Sequence, residues 1–427
     1  MVIDSLKYRR PVDPAGLILF RFGFGLLMVF SAVRYWYMGW IEELLLLPSF
    51  HFNYYFFEWV QPWTGNGLYI HFAAMIISAL CVMIGFRTRL FAALFFVLFT
   101  YIELIEKACY LNHYYFVSIM AFLMALLPIP NGGIRHEQRL IPVYVYWVLR
   151  LQVGLVYFYA GLAKVGHDWL LRGEPLYTWL QSYSHWPLVG EVMTTRAFAI
   201  TMGWGGAIFD LTIVGWLLWR KSRPWAYAVL CFFHIFIWLL FPIGIFSWVM
   251  ILSATVFFAP TWPRRFIQIC SVHSTPVRKI SWSQLAILPA VLVLQLLLPL
   301  RHYLYEGPVN WTEEGFRFAW RVMLIEKAGH LEYIVQTDDR RFYVFPQQEL
   351  PYFQYKMLAT QPDFILQYAH HLAERYSQKG LNDIQVFARS HIWFNGRASQ
   401  QYIDPHIDLA AQPRGFHGKT WILPMKP

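Results

Sequence analysis

The sequence predicts a polytopic α-helical membrane bundle followed by a small extracytoplasmic α/β domain. Of its 427 residues, 57% are hydrophobic and only 14% are charged, whereas soluble domains usually carry about 25% charged residues. Charged residues are scarce before Leu300, where long apolar runs repeat. The chain after Leu300 has the composition of a soluble protein. We therefore expect two units, a helical transmembrane domain over residues 1–300 and a soluble domain over residues 301–427.

Apolar runs that could cross the hydrocarbon layer of a bilayer, which takes about 20 residues, recur along the first unit. The expected spans are Ala15–Arg34, Gly67–Phe86, Leu90–Lys107, Asn112–Pro128, Val143–Lys164, Ala197–Trp219, Pro224–Phe241, Ile243–Ala259 and Ser281–Leu300. The connections around residues 107–112 and 241–243 are very short, so we expect about nine spans.

Basic residues are concentrated in alternate loops between these runs, and cytoplasmic loops of membrane proteins are enriched in Lys and Arg. The clusters are Lys7, Arg9 and Arg10, then Arg87 and Arg89, then Arg135 and Arg139, then Arg220, Lys221 and Arg223, and finally Arg264, Arg265, Arg278 and Lys279. The N-terminus is therefore expected in the cytoplasm and the C-terminus outside it. Because the net charge of +10 is divided among short clusters, it does not indicate nucleic-acid binding.

The region after residue 300 alternates between strand-like and helix-like segments. GHLEYIVQTDDRRFYVFP predicts two strands around the turn residues Asp338 and Asp339. QPDFILQYAHHLAERYSQ has helical spacing, and IQVFARSHIWFN has the alternation of a strand. In the first unit, the aromatic segment Phe50–Trp63 is typical of an interfacial belt, and a cover over a lipid-like ligand is the alternative.

Several charged residues fall inside the predicted spans, where a charge is costly and needs a partner or a function. Among them are Arg21, Glu103, Arg150 and Asp210. A structural ion pair inside the bundle, such as Arg150 with Asp210, is the simplest interpretation.

One face of the fifth predicted span carries three polar residues. Arg150, Tyr157 and Lys164 are spaced by seven residues, so they follow one another along the same side of a helix. A lysine at a helix end usually extends into the lipid headgroups. A half-buried lysine has another use, because desolvation disfavours its charged form and leaves a neutral amine that can act as a base near pH 7. The spacing alone leaves both interpretations open.

Two histidines belong to the same apolar region. His113 opens the fourth predicted span in LNHYYF, and His234 lies inside the seventh in CFFHIF. Packing explains each of them as readily as catalysis does. The four cysteines lack the spacing of disulfide frameworks or zinc sites, and no GxSxG, HExxH or glycine-rich phosphate loop occurs. The sequence therefore supports neither serine hydrolysis, nor phosphate transfer, nor a metal site.

Several segments, in order along the chain, resemble vitamin K-dependent γ-glutamyl carboxylases. YFYAGLAKVGHDWLLRGEPLYTWL resembles the Ala-Gly-x-x-Lys-x-x-x-Asp-Trp segment of that family, and PVDPAGLILFRFGFGLLMV resembles its first span. NHYYF resembles its Asn-His segment, and FH followed by FPIGIFSWVM resembles its Phe-His and Ile-Gly-x-Phe-Ser segments. APTWPRRF, NWTEEGFRFAW and NGRASQQYIDPHID continue the similarity. The resemblance covers nearly the whole chain and implies an HTTM-type membrane domain.

The resemblance implies a specific chemistry. Members of the family oxygenate reduced vitamin K to its epoxide, and the energy released removes a γ-proton from glutamate, whose carbanion then adds CO2. Lys164 falls on the family's catalytic base, and His113 falls on a histidine near the reacting quinone. The residues that the resemblance assigns to the quinone or substrate are Asn112, Tyr157, Asp168, Trp169 and His234. The implied partners are the lipid bilayer, a lipid quinone, O2, CO2 and a glutamate-containing peptide or protein on the outer face.

Differences from the animal enzymes favour a compact bacterial member in an inner membrane, with a menaquinol-like hydroquinone as an alternative to vitamin K. Ala163 stands where the animal enzymes carry a second lysine, and IFIWLLF after His234 is apolar where they carry Asn and Gln. The chain stops at Pro427, so we expect the oxygenation half of the chemistry rather than recognition of an animal-type substrate. Epoxidation without glutamate carboxylation, and non-catalytic binding of a lipid or quinone, are the alternative functions.

Overall fold

The computed structural model describes residues 10–133, 138–269, 272–273 and 282–426. A helical bundle forms the first part of the chain, and residues 301–426 form what is called here the tail domain. Part of the basic pattern that predicts the orientation lies outside the described residues, as does the first residue of the ninth predicted span. These residues are Lys7, Arg9, Arg135, Arg278, Lys279 and Ser281.

Helices dominate the bundle, as the repeated apolar runs predict. Seven helices within the described ranges are long and apolar enough to cross a membrane. Two shorter apolar helices, Asn112–Leu126 and Phe246–Phe257, accompany them, and the total of nine spans stays a prediction. The bundle helices are α1 (Ala15–Tyr37), α2 (Gly67–Ile84), α3 (Thr88–Ile105), α4 (Asn112–Leu126), α5 (Tyr144–Lys164), α6 (Leu176–Leu180), α7 (Gly190–Met193), α8 (Arg196–Leu218), α9 (Arg223–Leu240), α10 (Phe246–Ala254) and α11 (Trp282–Leu297).

Short strands and single helical turns connect these helices. The 3-10 turn Lys107–Cys109 joins α3 to α4, and the π-helical turn Asp168–Arg172 follows α5. One strand pair is antiparallel and the other is parallel. The strands are β1 (Pro11–Val12), which pairs with β3 (Ile141–Pro142), and β2 (Gln138–Arg139), which pairs with β4 (Val272–His273).

Two of the arginines inside the bundle hold the ends of helices. Arg21 donates from Nη1 to the carbonyl of Val82, near the end of α2, at 3.0 Å. Arg150 donates from Nε to the carbonyl of Val256, just after α10, at 2.8 Å. The last carbonyls of a helix lack partners within it and carry partial negative charge, so both arginines have a structural role. The pairing of Arg150 with Asp210 that the sequence suggests is therefore wrong.

The tail domain combines an antiparallel sheet with helices. The hairpin predicted around Asp338 and Asp339 is confirmed, as are the predicted helix and the strand that follows it. The strand order is β6-β5-β7-β8, and each neighbouring pair is antiparallel. The elements are α12 (Val309–Thr312), β5 (Lys327–Gln336), β6 (Arg341–Val344), α13 (Tyr352–Leu358), α14 (Pro362–Ser377), β7 (Gln385–Phe394) and β8 (Gln400–Gln401).

Alternation along β7 builds the core of the tail domain. Val386, Ala388 and Ile392 are fully buried, as the two-residue period of a strand with one covered face predicts. Phe364 and Leu372 of α14 are also fully buried and belong to the same apolar cluster. The sheet therefore packs its inner face against α14.

The aromatic segment Phe50–Trp63 divides its side chains between two environments. Phe52 is fully buried, and its ring lies 4.6 Å from that of Phe364, so it belongs to the core of the tail domain. Phe56 and Trp59 are 66% and 71% exposed, as an interfacial belt requires. No side chain of this segment lines the large cavity between the bundle and the tail domain. Its position therefore favours the belt over a cover for a ligand.

A buried charge cluster joins the bundle to the tail domain. Lys107, in the turn between α3 and α4, donates to Asp363 of α14 at 2.8 Å, and Arg317 donates to the same carboxylate at 2.8 Å. Burial alone would raise the pKa of Asp363, but the charges of Arg317 and Lys107 outweigh it and hold its pKa well below its usual range. One ionised carboxylate thus holds cations from two parts of the chain.

Replacing Asp363 with Asn should weaken the attachment of the tail domain. The substitution leaves Lys107 and Arg317 without their carboxylate, and breaking such a pair costs about 3 kcal/mol. Denaturant unfolding followed by tryptophan fluorescence should therefore give a lower free energy of unfolding. Glu332→Gln is the matched control, because its partner Arg389 has a side chain that is 48% exposed and such pairs contribute less than about 1 kcal/mol. Equal losses in the two variants would contradict the role of the cluster.

Candidate active site

A cavity of about 1660 Å³ lies where the bundle meets the tail domain. One part of its lining is apolar and includes Phe30 of α1, Trp238 of α9 and Trp248 of α10. These side chains are 59%, 42% and 41% exposed, so this part reaches the apolar surface of the bundle. Another part carries charged residues of the segment 313–326. Ligand pockets usually measure about 300–1,000 Å³, so this cavity has room for more than one molecule.

His113 lines this cavity at the start of α4 and is only 8% exposed. Its ring centroid lies 4.6 Å from that of Tyr114 and 5.7 Å from that of Phe246. Neither imidazole nitrogen has a hydrogen-bond partner among the residues that the structure describes. Burying a polar group without a partner is costly, so both nitrogens are available to the polar atoms of a ligand.

Asn112, next to His113, holds the tail domain against the bundle. Its Nδ2 donates to the carbonyl of Arg321 at 2.8 Å, and its Oδ1 accepts from the hydroxyl of Tyr110 at 3.0 Å. The same hydroxyl accepts from the backbone N–H of Phe318 at 2.8 Å. Because each polar atom of Asn112 has a protein partner, its side chain fixes the wall of the cavity beside His113.

Lys164 ends α5 and is buried against Asp210 of α8. Its Nζ lies 2.8 Å from Oδ2 of Asp210 and 3.3 Å from the carbonyl oxygen of Ala160. The two side chains are 8% and 7% exposed, and the amine lies 5.4 Å from the centroid of the Trp169 ring. An ammonium and a carboxylate in contact cancel each other's charge, so the pair places no net charge in the apolar bundle.

Lys164 lies beside the middle of another helix of the bundle. Asp210 lies near the middle of α8, which has 23 residues, and about 20 Å from the beginning of that helix at ~1.5 Å per residue. Since Lys164 contacts Asp210, its amine lies beside the middle of a helix long enough to span a membrane. The burial of this side chain excludes its extension into lipid headgroups.

Glycines allow the close approach of the segments around this pair. A Cβ atom at Gly161 would lie 2.8 Å from Cγ of Leu211 and 2.9 Å from its backbone nitrogen. Likewise, a Cβ atom at Gly203 would lie 2.8 Å from the carbonyl oxygen of Trp169, whose Nε1 donates to the carbonyl of Gly203 at 2.8 Å. Small residues at such positions let helix backbones pack closely. The glycine of the AGLAK segment therefore brings α5 close enough to α8 for the amine to reach the carboxylate.

A second polar pair lies on the same face of α5. The hydroxyl of Tyr157 is hydrogen-bonded to Nε2 of His234 at 2.7 Å, and both residues are buried. Nδ1 of His234 is buried without a partner in the described part of the chain. The ring of Phe209, the residue before Asp210, lies 6.0 Å from that of Tyr157 and 6.3 Å from that of His234. The polar face that the spacing predicts thus contacts two other helices.

These two pairs do not line the cavity, whereas His113 does. Phe246, the first residue of α10, lies near both histidines. Its ring centroid is 5.7 Å from that of His113 and 5.8 Å from that of His234, and it also lines the cavity. Of the sequence-predicted residues, Asn112 and His113 thus line the cavity, whereas Lys164, Tyr157 and His234 do not.

Asp168, which the resemblance assigns to the ligand site, ties the loop after α5 to the tail domain. Its two oxygens accept from Arg397 at 2.8 and 2.7 Å, and Oδ2 also accepts from Nδ2 of Asn395 at 3.2 Å. Asp168 does not line the cavity. Its contacts are those of a structural clamp, and its neighbour Trp169 contributes to the site by covering the amine of Lys164.

The structure adds two residues to those that the sequence indicates and gives a third its partner. Asp210, expected only as a structural charge, is the partner of Lys164. Phe246 and Arg321 line the cavity. Phe246 is the phenylalanine of the Ile-Gly-x-Phe-Ser segment, whereas no local pattern distinguishes Arg321 from other arginines. An acidic residue within an apolar run is a signal that sequence reasoning can use, but it does not identify the partner.

Two charged residues of the membrane helices also line the cavity. Arg34 places its guanidinium 4.8 Å from the centroid of the Trp40 ring, and Glu103 lies on α3. Neither forms an ion pair with another described residue. Across the described ranges, no group of three or more His, Cys, Asp or Glu residues could hold a metal ion.

Two family models match consecutive parts of the chain. Residues 9–262 match the HTTM domain, and residues 281–427 match the lumenal domain of vitamin K-dependent gamma-carboxylase. The second match begins before α11, so it includes the last apolar helix. No solved structure matches the chain.

Replacing Gly161 with Ala should push α5 away from α8 and weaken the contact between Lys164 and Asp210. The added Cβ meets atoms of Leu211, and overpacking of this kind costs about 1–3 kcal/mol. Thermal unfolding of the purified protein should therefore shift to lower temperature.

The matched control is Gly154→Ala in the same helix, because a Cβ atom there meets only Val214, at an ordinary 3.5 Å. This control should keep the unfolding temperature of the wild type. A Gly161→Ala protein that is as stable as the control would contradict the close packing.

Proposed function

Because this chain belongs to the vitamin K-dependent gamma-carboxylase family, we propose that it couples the oxygenation of a reduced quinone to the carboxylation of glutamate. The observation that carries the proposal is a buried Lys164–Asp210 pair covered by Trp169, in an apolar cluster that also contains the cavity-lining Phe246. His113, which has no hydrogen-bond partner among the described residues, lines the same cavity. This chemistry needs a base shielded from water and a space that admits both a lipid and a peptide. Family membership and the apolar helices make the chain a multi-pass membrane protein.

The cavity fits a lipid quinone. Its apolar lining, which includes Phe30 and Trp238, reaches the surface of the bundle, so a hydrocarbon tail has a path from the bilayer. The nitrogens of His113, which have no hydrogen-bond partner in the described part of the chain, suit hydrogen bonds to the ring oxygens of the quinone head. When bound, reduced vitamin K or a menaquinol-like hydroquinone supplies, with O2, the free energy for removing a γ-proton from glutamate.

Lys164 is the base in this proposal, and Asp210 is its proton partner. Nζ passes its extra proton to Oδ2 of Asp210, which lies 2.8 Å away, and is then able to accept a hydroxyl proton. The charged pair and its neutral tautomer have the same net charge, so the proton moves without placing a net charge in the bundle. The neutral amine therefore arises by transfer to a neighbour, rather than by isolation of the lysine.

Phe246 lines the cavity and also packs in the apolar cluster of Trp169, the ring that covers the amine of Lys164. It begins α10, directly after a connection in which Gly244 adopts a φ of +59°. Glycine tolerates this left-handed conformation without strain, so the ring follows a turn rather than the interior of a helix. In this proposal His113 and His234, which both lie near this ring, would hold the head of the quinone.

Exclusion of water follows from the same arrangement. Trp169, Phe241 and Phe246 belong to one apolar cluster beside the lysine–aspartate pair. A strong base formed there would be protected from bulk water, which would otherwise protonate it. The apolar cluster thus protects the γ-proton abstraction while the quinone occupies the site.

The glutamate substrate enters, in this proposal, from the side of the tail domain. The charged part of the cavity lining belongs to residues 313–326, which precede β5 and connect the bundle to the sheet. The basic clusters in alternate loops orient this side away from the cytoplasm, and a bacterial inner membrane with a menaquinol-like quinone suits that orientation. The peptide and the lipid would then approach the same cavity from different phases.

Replacing Lys164 with Met should abolish O2-dependent epoxide formation from reduced vitamin K. Loss of a general base lowers rates by about 100- to 10,000-fold. The protein in lipid nanodiscs is assayed for epoxide by chromatography and for labelled CO2 in a glutamate peptide, which should take up label only when hydroquinone and O2 are both present.

Lys221→Met, at an exposed position before α9, is the control and should keep the wild-type rate. Unchanged epoxide yield in Lys164→Met would overturn the proposal. Epoxide without label in the wild type would restrict the function to epoxidation.

Replacing Lys164 with Met and Asp210 with Leu together should separate stability from catalysis. Each single substitution leaves a buried charge unpaired and should cost about 3–5 kcal/mol, whereas apolar residues at both positions should regain most of that loss. Thermal unfolding should therefore show a double variant that is more stable than either single variant. The double variant should form no epoxide. Epoxide formation by it would mean that the Lys164–Asp210 pair has only a structural role.

A further inference from the structure

Arg321 is a buried cation in the wall of the cavity, and it has no carboxylate partner among the residues that the structure describes. The residue is 9% exposed and lines the cavity. Its Nη2 lies 3.1 Å from Nε2 of His302, and its Nη1 lies 3.3 Å from Oδ1 of Asn310. Its Nε is buried and has no partner in the described ranges. Of the five N–H donors of a guanidinium, most are therefore left without an acceptor.

Neither partner of Arg321 compensates its charge. Nδ1 of His302 lies 2.9 Å from the carbonyl oxygen of Pro299, which can only accept a hydrogen bond. Nδ1 therefore carries the hydrogen, and Nε2 is the neutral acceptor for Arg321. The amide of Asn310 is also uncharged. Burial lowers the pKa of Arg321 to about 10, which leaves the guanidinium charged at neutral pH.

Two other cations of the tail domain have carboxylates, and Arg301 donates to the backbone carbonyls of Leu298 and Arg317. Arg317 pairs with Asp363 at 2.8 Å, and Lys327 pairs with Glu313 at 2.9 Å. A buried charge without such a partner is strongly destabilising. The contrast indicates that the missing anion of Arg321 comes from outside the described part of the chain.

The main chain of Arg321 is fixed beside the quinone end of the cavity. Its carbonyl accepts from Nδ2 of Asn112 at 2.8 Å, and Asn112 precedes His113 at the start of α4. The side chains of Arg321 and His113 line the same cavity. An anion held by Arg321 would therefore share this cavity with a ligand held by His113.

We propose that Arg321 binds the side-chain carboxylate of the substrate glutamate and selects glutamate over uncharged residues. The inference rests on the proposed function, which requires a glutamate beside the quinone. A guanidinium with free N–H groups binds a carboxylate through paired hydrogen bonds, and both charges are then compensated. A glutamine side chain would leave the guanidinium uncompensated. The terminal carboxylate of a peptide offers the same chemistry, and the test separates the two sources.

The test compares Arg321→Gln and Arg321→Lys with the wild type, as full-length protein in nanodiscs. Loss of a charged hydrogen bond should raise the KM for a glutamate peptide about 10- to 100-fold in Arg321→Gln, with the KM for the hydroquinone unchanged. Arg321→Lys keeps the charge and should recover part of this loss. Arg389→Gln removes a charge from the same domain at a side chain that is 48% exposed and does not line the cavity, and it should leave the peptide KM unchanged. Equal changes in Arg389→Gln and Arg321→Gln would overturn the proposal.

Equilibrium binding of C-terminally amidated peptides separates this inference from the proposed function, because it needs no turnover. The wild type should bind a glutamate peptide about 10- to 100-fold more tightly than its glutamine analogue, and Arg321→Gln should lose that preference. The role of Arg321 would be overturned if Arg321→Gln kept the preference for the glutamate peptide. It would also be overturned if the wild type lost this preference once the peptides are amidated. Preference without turnover would support Arg321 while the proposed function fails. Turnover with an unchanged peptide KM in Arg321→Gln would support the proposed function and overturn the role of Arg321.

Discussion

The contact between Lys164 and Asp210 is the constraint on which the rest of the site depends. A lysine in an apolar bundle needs a partner of opposite charge, and this partner lies on another helix, so α5 and α8 must approach closely. The glycine at position 161 permits that approach, because a Cβ atom there would meet the backbone of α8. The same approach places Trp169 over the amine and brings Phe209 beside Tyr157. One compensated charge thus accounts for the glycine, the aromatic cover and the second polar pair.

The junction between the bundle and the tail domain follows the same rule, which is that a buried charge contacts a charge of opposite sign. Lys107 and Arg317 meet at Asp363, and this contact closes one side of the cavity without leaving the carboxylate free. Arg321 departs from the rule, because its protein partners are neutral. Its Nε is also buried without a partner in the described ranges, so this cation is better explained by a ligand than by stability.

Sequence reasoning predicts the elements of this protein better than the contacts between them. Membrane helices and half-buried strands impose strong patterns on composition, so the spans and the hairpin around Asp338 could be predicted. The seven-residue spacing of Tyr157 and Lys164 also places them correctly on one face, because helical periodicity is local. The partner of Asp210 depends on the rotation and depth of two helices, which no local pattern records. Arg321 lies in an irregular segment, where burial cannot be inferred from periodicity.

The separation of the amine from the cavity follows from the instability of an open alternative. An amine facing a cavity that water enters would stay hydrated and protonated, and a strong base formed there would be consumed by solvent. Buried against Asp210, Lys164 is held in a pair with no net charge, which the apolar bundle tolerates for as long as the ligand is absent. In the proposed mechanism the apolar side chains that line the cavity, Phe246 among them, would hold the quinone. The site therefore opens toward the lipid ligand while the amine stays shielded from water.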